Sequence, residues 1–450
     1  MIVSSSRPAQ RRRSPGWATY RRRIFQAWVA AVLLLANAAA LAGDPVKPFN
    51  LKQLIDLGQR GNKDLQAARY AVDISRARLL QAGIRPNPRL DLSTRSDFAF
   101  SNEGEYGRAI AISQEFPITG RLLRQKDVAR VDVALAQAEV AEAERRLAEQ
   151  MAAKVYRLLV SQQQVDSIDR LLIAEESLAK TARARFRAAE VSELDVNTVQ
   201  LDVQRLRLER EQLQSEQLAL TVSLNTLLGR PATMPLTVVD ALPDRDALPS
   251  LEKLQTQAQR RRPDLQSALL GVDRAAAEKA LAHALRWQDW SVALELSQDK
   301  QVIFGAPPQD SSRAIGVSVS IPLPLFNKSQ GLIAEANANR DQASARVDAL
   351  RLTILGEVAG AHAEASRLQA LLAQFGESTR PVSERSVRLA RQGYQQGLIP
   401  IFDVVQAQRQ QAELNKAYLG TLDQFLQALV RLHTAVADYT PNSLDANSQP

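Results

Sequence analysis

The chain contains no cysteine and only three histidines, His283, His362 and His433. The first absence excludes disulfides, thiolate metal sites, a cysteine nucleophile and a lipid anchor on an N-terminal cysteine. The histidines lie 79 and 71 residues apart, and His362 with Glu364 cannot share a helix face at that spacing. Each therefore reads as an ordinary helix residue rather than a ligand. The Gly-x4-Gly-Lys-Ser/Thr phosphate loop, the His-Glu-x-x-His zinc pair and the Gly-x-Ser-x-Gly elbow are all missing, so the sequence offers catalysis no foothold and no cofactor is expected. Beyond residue 42 no run of 18 consecutive apolar residues occurs, so a membrane span there must be a β-barrel or be absent. Residues 1–42 lack acidic charge altogether: they hold seven arginines, while residues 43–450 carry 50 basic against 49 acidic side chains. All but one unit of the formal charge of +8 thus belongs to the first 42 residues. Bulk attraction to nucleic acid loses its support, and no nucleic-acid partner is expected.

What the N-terminus does contain reads as an export signal. Arg21–Arg23 form a positive segment, a mostly apolar run from Ile24 to Ala36 follows, and Ala40-Leu41-Ala42 supplies a small-x-small cleavage site. The expectation is a signal peptide over 1–42 and a mature chain exported across a bacterial inner membrane.

The remainder repeats itself. Asp64-Leu65-Gln66 recurs as Asp264-Leu265-Gln266, and Val72-Asp73 as Val272-Asp273. Ser113, Pro117, Ala129, Ala136, Ala138 and Val140 match Ser320, Pro324, Ala336, Ala343, Ala345 and Val347. Asp195-Val196 and Gln200 match Asp403-Val404 and Gln408, and the successive offsets are 200, 207 and 208. Two copies of one structural unit follow, expected at 43–230 and 251–440, with a linker at 231–250 and a tail at 441–450.

Within each unit a helix is expected first, at about 51–84 and about 250–285. Two strands come next, at about 89–116 and about 287–321, because the apolar period falls to two. Leu90 and Leu92 alternate with Asp91 and Ser93, Ile110 and Ile112 with small residues, and Ile315, Val317, Val319 and Ile321 with Ala314, Gly316, Ser318 and Ser320. The intervening loops, 101–105 and 305–312, are rich in turn residues. Residues 121–186 then contain neither proline nor glycine, enough helix to extend roughly 100 Å. Leu147, Met151, Val155, Leu158, Val165, Ile168 and Leu172 run close to a heptad, as do Val347, Leu350, Ile354, Ala361, Leu368 and Phe375. Gly356 and Gly360 suggest a close helix contact, and Pro381 is expected to kink or break the second long helix. Helices resume at about 193–228 and about 400–438. Such lengths suit a coiled-coil tube or rod.

Residues 43–450 hold 18 aromatics, and eight of them fall in the 68 residues of 89–116 and 287–326. They are Phe98, Phe100, Tyr106, Phe116, Trp287, Trp290, Phe304 and Phe326. Aromatics at strand ends form the interfacial girdle of an outer-membrane barrel; in a soluble protein they would fill the core of the sheet. The export signal and the long helices favour the barrel. Four strands cannot close one, since the smallest need about eight, so several protomers must pool their strands.

The duplicated helix–hairpin–long-helix unit, Pro-Leu-Phe-Asn-Lys-Ser-Gln-Gly at 324–331 followed by Ala334-Glu335-Ala336, and Tyr394-x-x-Gly397 leading into Asp403-Val404 resemble the TolC-type outer-membrane efflux channels over nearly all of residues 44–440. Ile321–Asn327 is similar to the heavy-metal (cobalt–zinc–cadmium) branch of that family. The resemblance implies a mainly α fold with a small β part, in which a homotrimer shares a twelve-stranded outer-membrane β-barrel, four strands per chain, continuous with a periplasmic α-helical barrel. It also implies a mixed equatorial region over 231–249 with a short strand at 236–239. The implied function is a passive exit duct for divalent heavy-metal cations, served by a periplasmic adaptor and an inner-membrane proton-driven pump of the resistance-nodulation-division class. Many relatives carry an acylated N-terminal cysteine; without one, this chain would be held in outer-membrane lipid by its barrel alone.

Family members close their tunnel where the inter-helix turns converge, here at about 187–195 and about 393–403. Alignment on Tyr394-x-x-Gly397 keeps a gate tyrosine at Tyr394 and gate-region aspartates at Asp195 and Asp403. The family's gate arginine falls on Ile399, the threonine it bonds on Leu194, and a second aperture aspartate on Gln406, so that closing network is not expected here. Six carboxylates from three copies would attract cations. Ser192-Glu193-Leu194-Asp195 equally fits a helix-capping box, which leaves Asp195 two roles. Two other readings stay open at this point: a drug or polypeptide duct of the same architecture, and an exported coiled-coil structural or adhesive protein with a soluble sheet.

Overall fold

Asparagine at 50 and 62 decides how the chain begins. The computed structural model describes residues 48–99, 103–240, 242–243, 248–303, 305–307 and 309–438. The export signal expected at 1–42, the tail at 441–450, and Phe100 and Phe304 lie outside the described residues. Residues 49–234 and 238–438 form the body described here, and Pro48 and 235–237 fall outside it. Asn50 caps helix α1 (Leu51–Gly61) through a reciprocal box with Gln53, and Asn62 caps α2 (Lys63–Gln81). The single first helix expected over 51–84 is therefore two, because the Asn62 side chain binds Leu65 N–H and interrupts the helical ladder. Strands β1 (Arg89–Ser96) and β2 (Tyr106–Phe116) form a hairpin, and Gly120, at φ 70°, turns the chain into α3 (Arg121–Arg187). This helix runs 67 residues without a break, as its lack of proline and glycine predicts. Helix α4 (Glu193–Leu227) returns antiparallel along it.

The second half repeats the order. Helix α5 (Leu251–Arg261) is followed by α6 (Pro263–Ala284), with Pro263 in the first turn and Arg262 at the break. Strands β3 (Trp290–Lys300) and β4 (Ser312–Ser320) form the second hairpin, and α7 (Gln330–Gln374) leads away from it. Pro381 does not break the helix that follows. A π-helical turn, Phe375–Thr379, precedes it, and the Arg380 N–H reaches the Phe375 carbonyl five residues back. The widened turn absorbs the missing proline donor and its ring, and α8 (Arg380–Gln395) continues directly. Helix α9 (Ile401–Ala435) closes the unit.

Helix α3 is the spine: α1, α2, α4, α6 and α9 all pack against it. Met151, Val155 and Leu158 from the expected heptad are buried there, as are Ile354 and Val358 on α7. Gly356 and Gly360 are not approached within the chain; a Cβ at either would meet open space. The close approach lies elsewhere. A Cβ on Gly229, which has φ +68°, would sit 2.1 Å from the Gly61 carbonyl oxygen, and Gly61 abuts Leu228 in the same way. The two contacts press the break between α1 and α2 against the end of α4. There Asn62 also donates to the Leu227 carbonyl at 2.9 Å. In the second unit Arg262 takes that place, two hundred positions on. It is buried, binds Asp264 at 2.6 and 3.0 Å, reaches Glu357, and lies 3.5 Å from the Ala435 carbonyl at the end of α9. Burial opposes the charge on Asp264, but the Arg262 guanidinium outweighs it and holds the carboxyl below its ordinary value. The strand expected at 236–239 reduces to one parallel bridge between Phe49 and Val238.

All four strands join in one antiparallel sheet in the order β1-β2-β3-β4. Arg121 at the start of α3 binds Asp289 just before β3, pinning the two hairpins together where the sheet meets the helices.

Candidate functional site

Register turns the alternation of single strands into two chemically opposite faces. One face carries the rows Leu90–Ile112–Leu294–Val317 and Leu92–Ile110–Leu296–Ile315, with Val292 and Val319 beside them and Phe116 opposite Trp290 at the helical end. The other carries Asp91–Ala111–Glu295–Gly316 and Ser93–Ala109–Ser297–Ala314. Every carboxylate of the strands (Asp91, Glu115, Glu295, Asp299) belongs to this second face. Gly107 lies between Arg95 and Asp299, which pair at 3.8 Å. The apolar rows are exposed along their whole length, and no described element covers them. A soluble sheet would bury them; an uncovered band of this size needs lipid. Of the expected girdle, Phe116 and Trp290 stand at one end of the band and Tyr106 at the other.

At the far end of the helices, the turns 188–192 and 396–400 meet. Ala179 and Ala182 of α3, Val196 and Val199 of α4, Tyr394 of α8, and Ile401, Val404 and Val405 of α9 form one buried knot. Each turn is closed by a residue in the left-handed region, Ala189 at φ 61° and Gly397 at φ 73°. In each case a 6→1 bond completes the motif: Glu190 N–H to Arg185 O at 2.9 Å, and Leu398 N–H to Gly393 O at 2.8 Å.

The aligned gate residues divide within this knot. Tyr394 is 5% exposed. Its ring lies under the Arg185 guanidinium at 4.4 Å, and its hydroxyl finds no partner among the described residues. Asp195 caps its own helix: Ser192 N–H donates to Oδ2 at 3.0 Å and Asp195 N–H to Ser192 Oγ at 3.2 Å. Asp403 and Gln406 are exposed on the first turns of α9, and Leu194 is exposed beside Asp195. Ile399, at the arginine position, packs against the knot.

Above the knot lies a polar layer that motif reasoning missed. Asp202 of α4 is 2% exposed and accepts from Arg205 at 3.1 Å and from Arg409 of α9 at 2.9 Å, tying the two helical hairpins together. Glu175 of α3 is 0% exposed, and neither of its carboxylate oxygens has a partner among the described residues. Burial, reinforced by the Asp202 charge, pushes its pKa up to about 7 against the partial relief of Arg391, Arg409 and Arg205. The signal was available in the spacing. Ile168, Leu172, Ala179 and Ala182 form an inward stripe, and Glu175 occupies the position between Leu172 and Ala179.

A four-stranded sheet with a bare apolar face, joined to helical hairpins that end in a closed knot, is the protomer of an outer-membrane duct. The chain belongs to the outer membrane efflux protein family, whose profile matches residues 54–230 and 254–438, one segment per repeat. It is an outer-membrane efflux channel and not an enzyme, with its helical part in the periplasm. The cobalt-zinc-cadmium resistance protein CzcC of Cupriavidus metallidurans is 25% identical over 394 residues, covering 85% of this chain and 88% of that protein. Among solved structures, CusC superposes with a TM-score of 0.71 at 17% identity over 87% of this chain and 92% of that one. VceC of Vibrio cholerae gives 0.67 at 17% identity over 86% and 95%. The expected family, and the mainly helical fold with four strands per chain, are borne out.

Proposed function

We propose that the protein is the exit duct of a three-part export system for divalent heavy-metal cations. Three copies pool twelve strands into one barrel, and a periplasmic adaptor and an inner-membrane proton-driven pump of the resistance-nodulation-division class supply substrate and energy. One observation carries the duct: an apolar sheet face that nothing in the chain covers, backed by a face that gathers every strand carboxylate. Lipid satisfies the first face and a water-filled lumen the second, and edge strands β1 and β4 can pair only with another copy. The helices support the same assembly. Besides its buried stripe, α4 presents Leu194, Leu201 and Leu208 at heptad spacing, each at least 63% exposed; a neighbouring protomer would cover them.

The cation preference draws on the likeness to CzcC, on the lumenal Asp91 and Glu295, and on the tip. Asp403 and Asp195 would place six carboxylates around the constriction of a trimer, attracting cations and resisting anions. Tyr394 anchors the knot that keeps the turns in place, and Gln406 lines the next turn. Asp195 both caps and faces the opening, so the informative variant is Asp195→Asn, which keeps a capping side chain. Single-channel recordings of D403N and D195N should show reduced cation selectivity and weaker block by zinc or cobalt. Unchanged selectivity in both would remove the tip from the account. Deleting the gene should lower tolerance to zinc, cobalt or cadmium, and a loss of tolerance to antibiotics alone would assign the duct to drugs instead.

A further inference from the structure

The strand register also sorts the basic residues. Two residues beyond the row Leu92–Ile110–Leu296–Ile315, the apolar face continues as Thr94–Arg108–Gln298–Arg313, and the next row holds Lys300 beside Tyr106. Arg108, Arg313 and Lys300 are the only charged side chains that the strands place on this face; the carboxylates and the other two strand arginines, Arg89 and Arg95, lie on the opposite one. Arg108 and Arg313 are exposed and in no ion pair among the described residues, and Arg108 rests its guanidinium 5.2 Å above the Tyr106 ring. With Leu92, Ile110, Leu296 and Ile315 they border a shallow depression of about 760 Å³.

These rows lie at the hairpin end of the sheet, away from every helix. Eight residues separate Trp290 from Gln298 in the arginine row, about 20 Å of membrane depth for a strand tilted by about 40°. A guanidinium at that depth has left the middle of the hydrocarbon and reaches the headgroups of the outer leaflet. Arg108 and Arg313 stand two strands apart, roughly 10 Å, so their forks flank one headgroup rather than one atom. No strand carboxylate lies on that face to compete for them.

We propose that Arg108 and Arg313, assisted by Lys300, bind the phosphate of an outer-leaflet glycolipid whose acyl chain lies along Leu92, Ile110, Leu296 and Ile315. Guanidinium holds phosphate through paired, charge-assisted hydrogen bonds, and the apolar floor accepts the chain beneath it. The site fixes the height of the barrel in the membrane. The proposal rests on the membrane-barrel reading above, and the test separates the two.

Full-length protein is purified in uncharged detergent, its oligomeric state is measured, and lipid retention is read by native mass spectrometry. The probes are bis-phosphorylated lipid A, the same glycolipid with its phosphates removed, and phosphatidylglycerol. Lipid A should bind at least tenfold more tightly than either other probe. R108Q/R313Q should lose about tenfold in lipid A binding, while R95Q, altered on the opposite face, should lose none. Should the double variant fail to assemble, R313Q alone should lose about threefold. Equal binding by the arginine variants, or by the dephosphorylated glycolipid, overturns the site; equal binding of phosphatidylglycerol overturns the outer-leaflet assignment. A detergent-free, soluble monomer would instead defeat the barrel itself, and that is read before any lipid is added.

Discussion

Glu175 makes the packing of the helical tip depend on pH in a direction opposite to most carboxylates. Folding buries it completely and leaves both oxygens unpartnered, so the folded chain holds its proton up to about pH 7, against 4.5 for an ordinary glutamate. Between those values the unfolded or locally opened chain has already released the proton and the packed one has not. Tip stability is therefore greatest below about pH 4.5, falls as pH rises to about 7, and then levels off. The gap corresponds to about 3 kcal/mol, or a few hundredfold in the equilibrium for local opening, on the order of one factor of ten per pKa unit. Glu175→Gln keeps the shape and removes the titration. Hydrogen exchange of amides in 172–182 and 199–206 of the detergent-held protein, corrected for intrinsic rates, should show protection falling steeply between about pH 5 and about pH 7 in the wild type and nearly flat in E175Q. A wild type without that slope, or an E175Q variant that keeps it, would refute the reasoning. Asp202, which adds to the upward push, supplies an internal check: D202N should reduce the slope but not abolish it, because burial is the larger cause.

Three further outcomes follow from the backbone and the buried charges. Gly229→Ala should cost more than about 2 kcal/mol, because left-handed strain adds to a backbone collision with Gly61. Gly397→Ala, at a similar φ but in open space, should cost only about 1 kcal/mol; equal losses in thermal dissociation of the oligomer would contradict the contact. Ala189→Gly should raise that midpoint slightly, by about 0.5 kcal/mol net of the added unfolded-state entropy, since Ala189 is exposed and left-handed. Arg262→Ala strands Asp264 and releases the end of α9, a loss of about 3 kcal/mol; a variant as heat-stable as the wild type would show the cluster to be dispensable.

The duplication explains which of these positions are equivalent. Ala189 and Gly397 close the tip turns, and Gly229 and Ala437 close the opposite ends of α4 and α9, each pair separated by the same 208 positions seen in the sequence repeat. Each unit thus carries one glycine and one strained alanine at matching places. Asn62 and Arg262 likewise do one job with different chemistry: each sits between a unit's first two helices and donates to the carbonyls that end its last one. The second unit has Arg261 and Ala437 where the first has Gly61 and Gly229, and the Arg262 guanidinium makes the link there.

The sequence by itself determined the period-two strands, the unbroken 67-residue helix, the repeat and the turns at the tip, because these follow from spacing along one chain. It also carried the need for several protomers, since four alternating segments can neither close a barrel nor hide an apolar face. Tertiary structure decided what spacing cannot express. Gly356 and Gly360 were expected at a close contact and meet none within the chain, while Gly61 and Gly229, separated by most of a repeat, lie so close that neither has room for a Cβ. Pro381 yields a π turn rather than a break because α8 still packs against α9 on the far side of it. Asp202 looks like any other charge on a surface helix until α4 and α9 meet around it, and the apolar stripe that marks Glu175 as inward-facing does not say which groups will face it. Burial of an isolated polar group depends on which helices converge there, and that is a property of the assembled fold rather than of any local pattern.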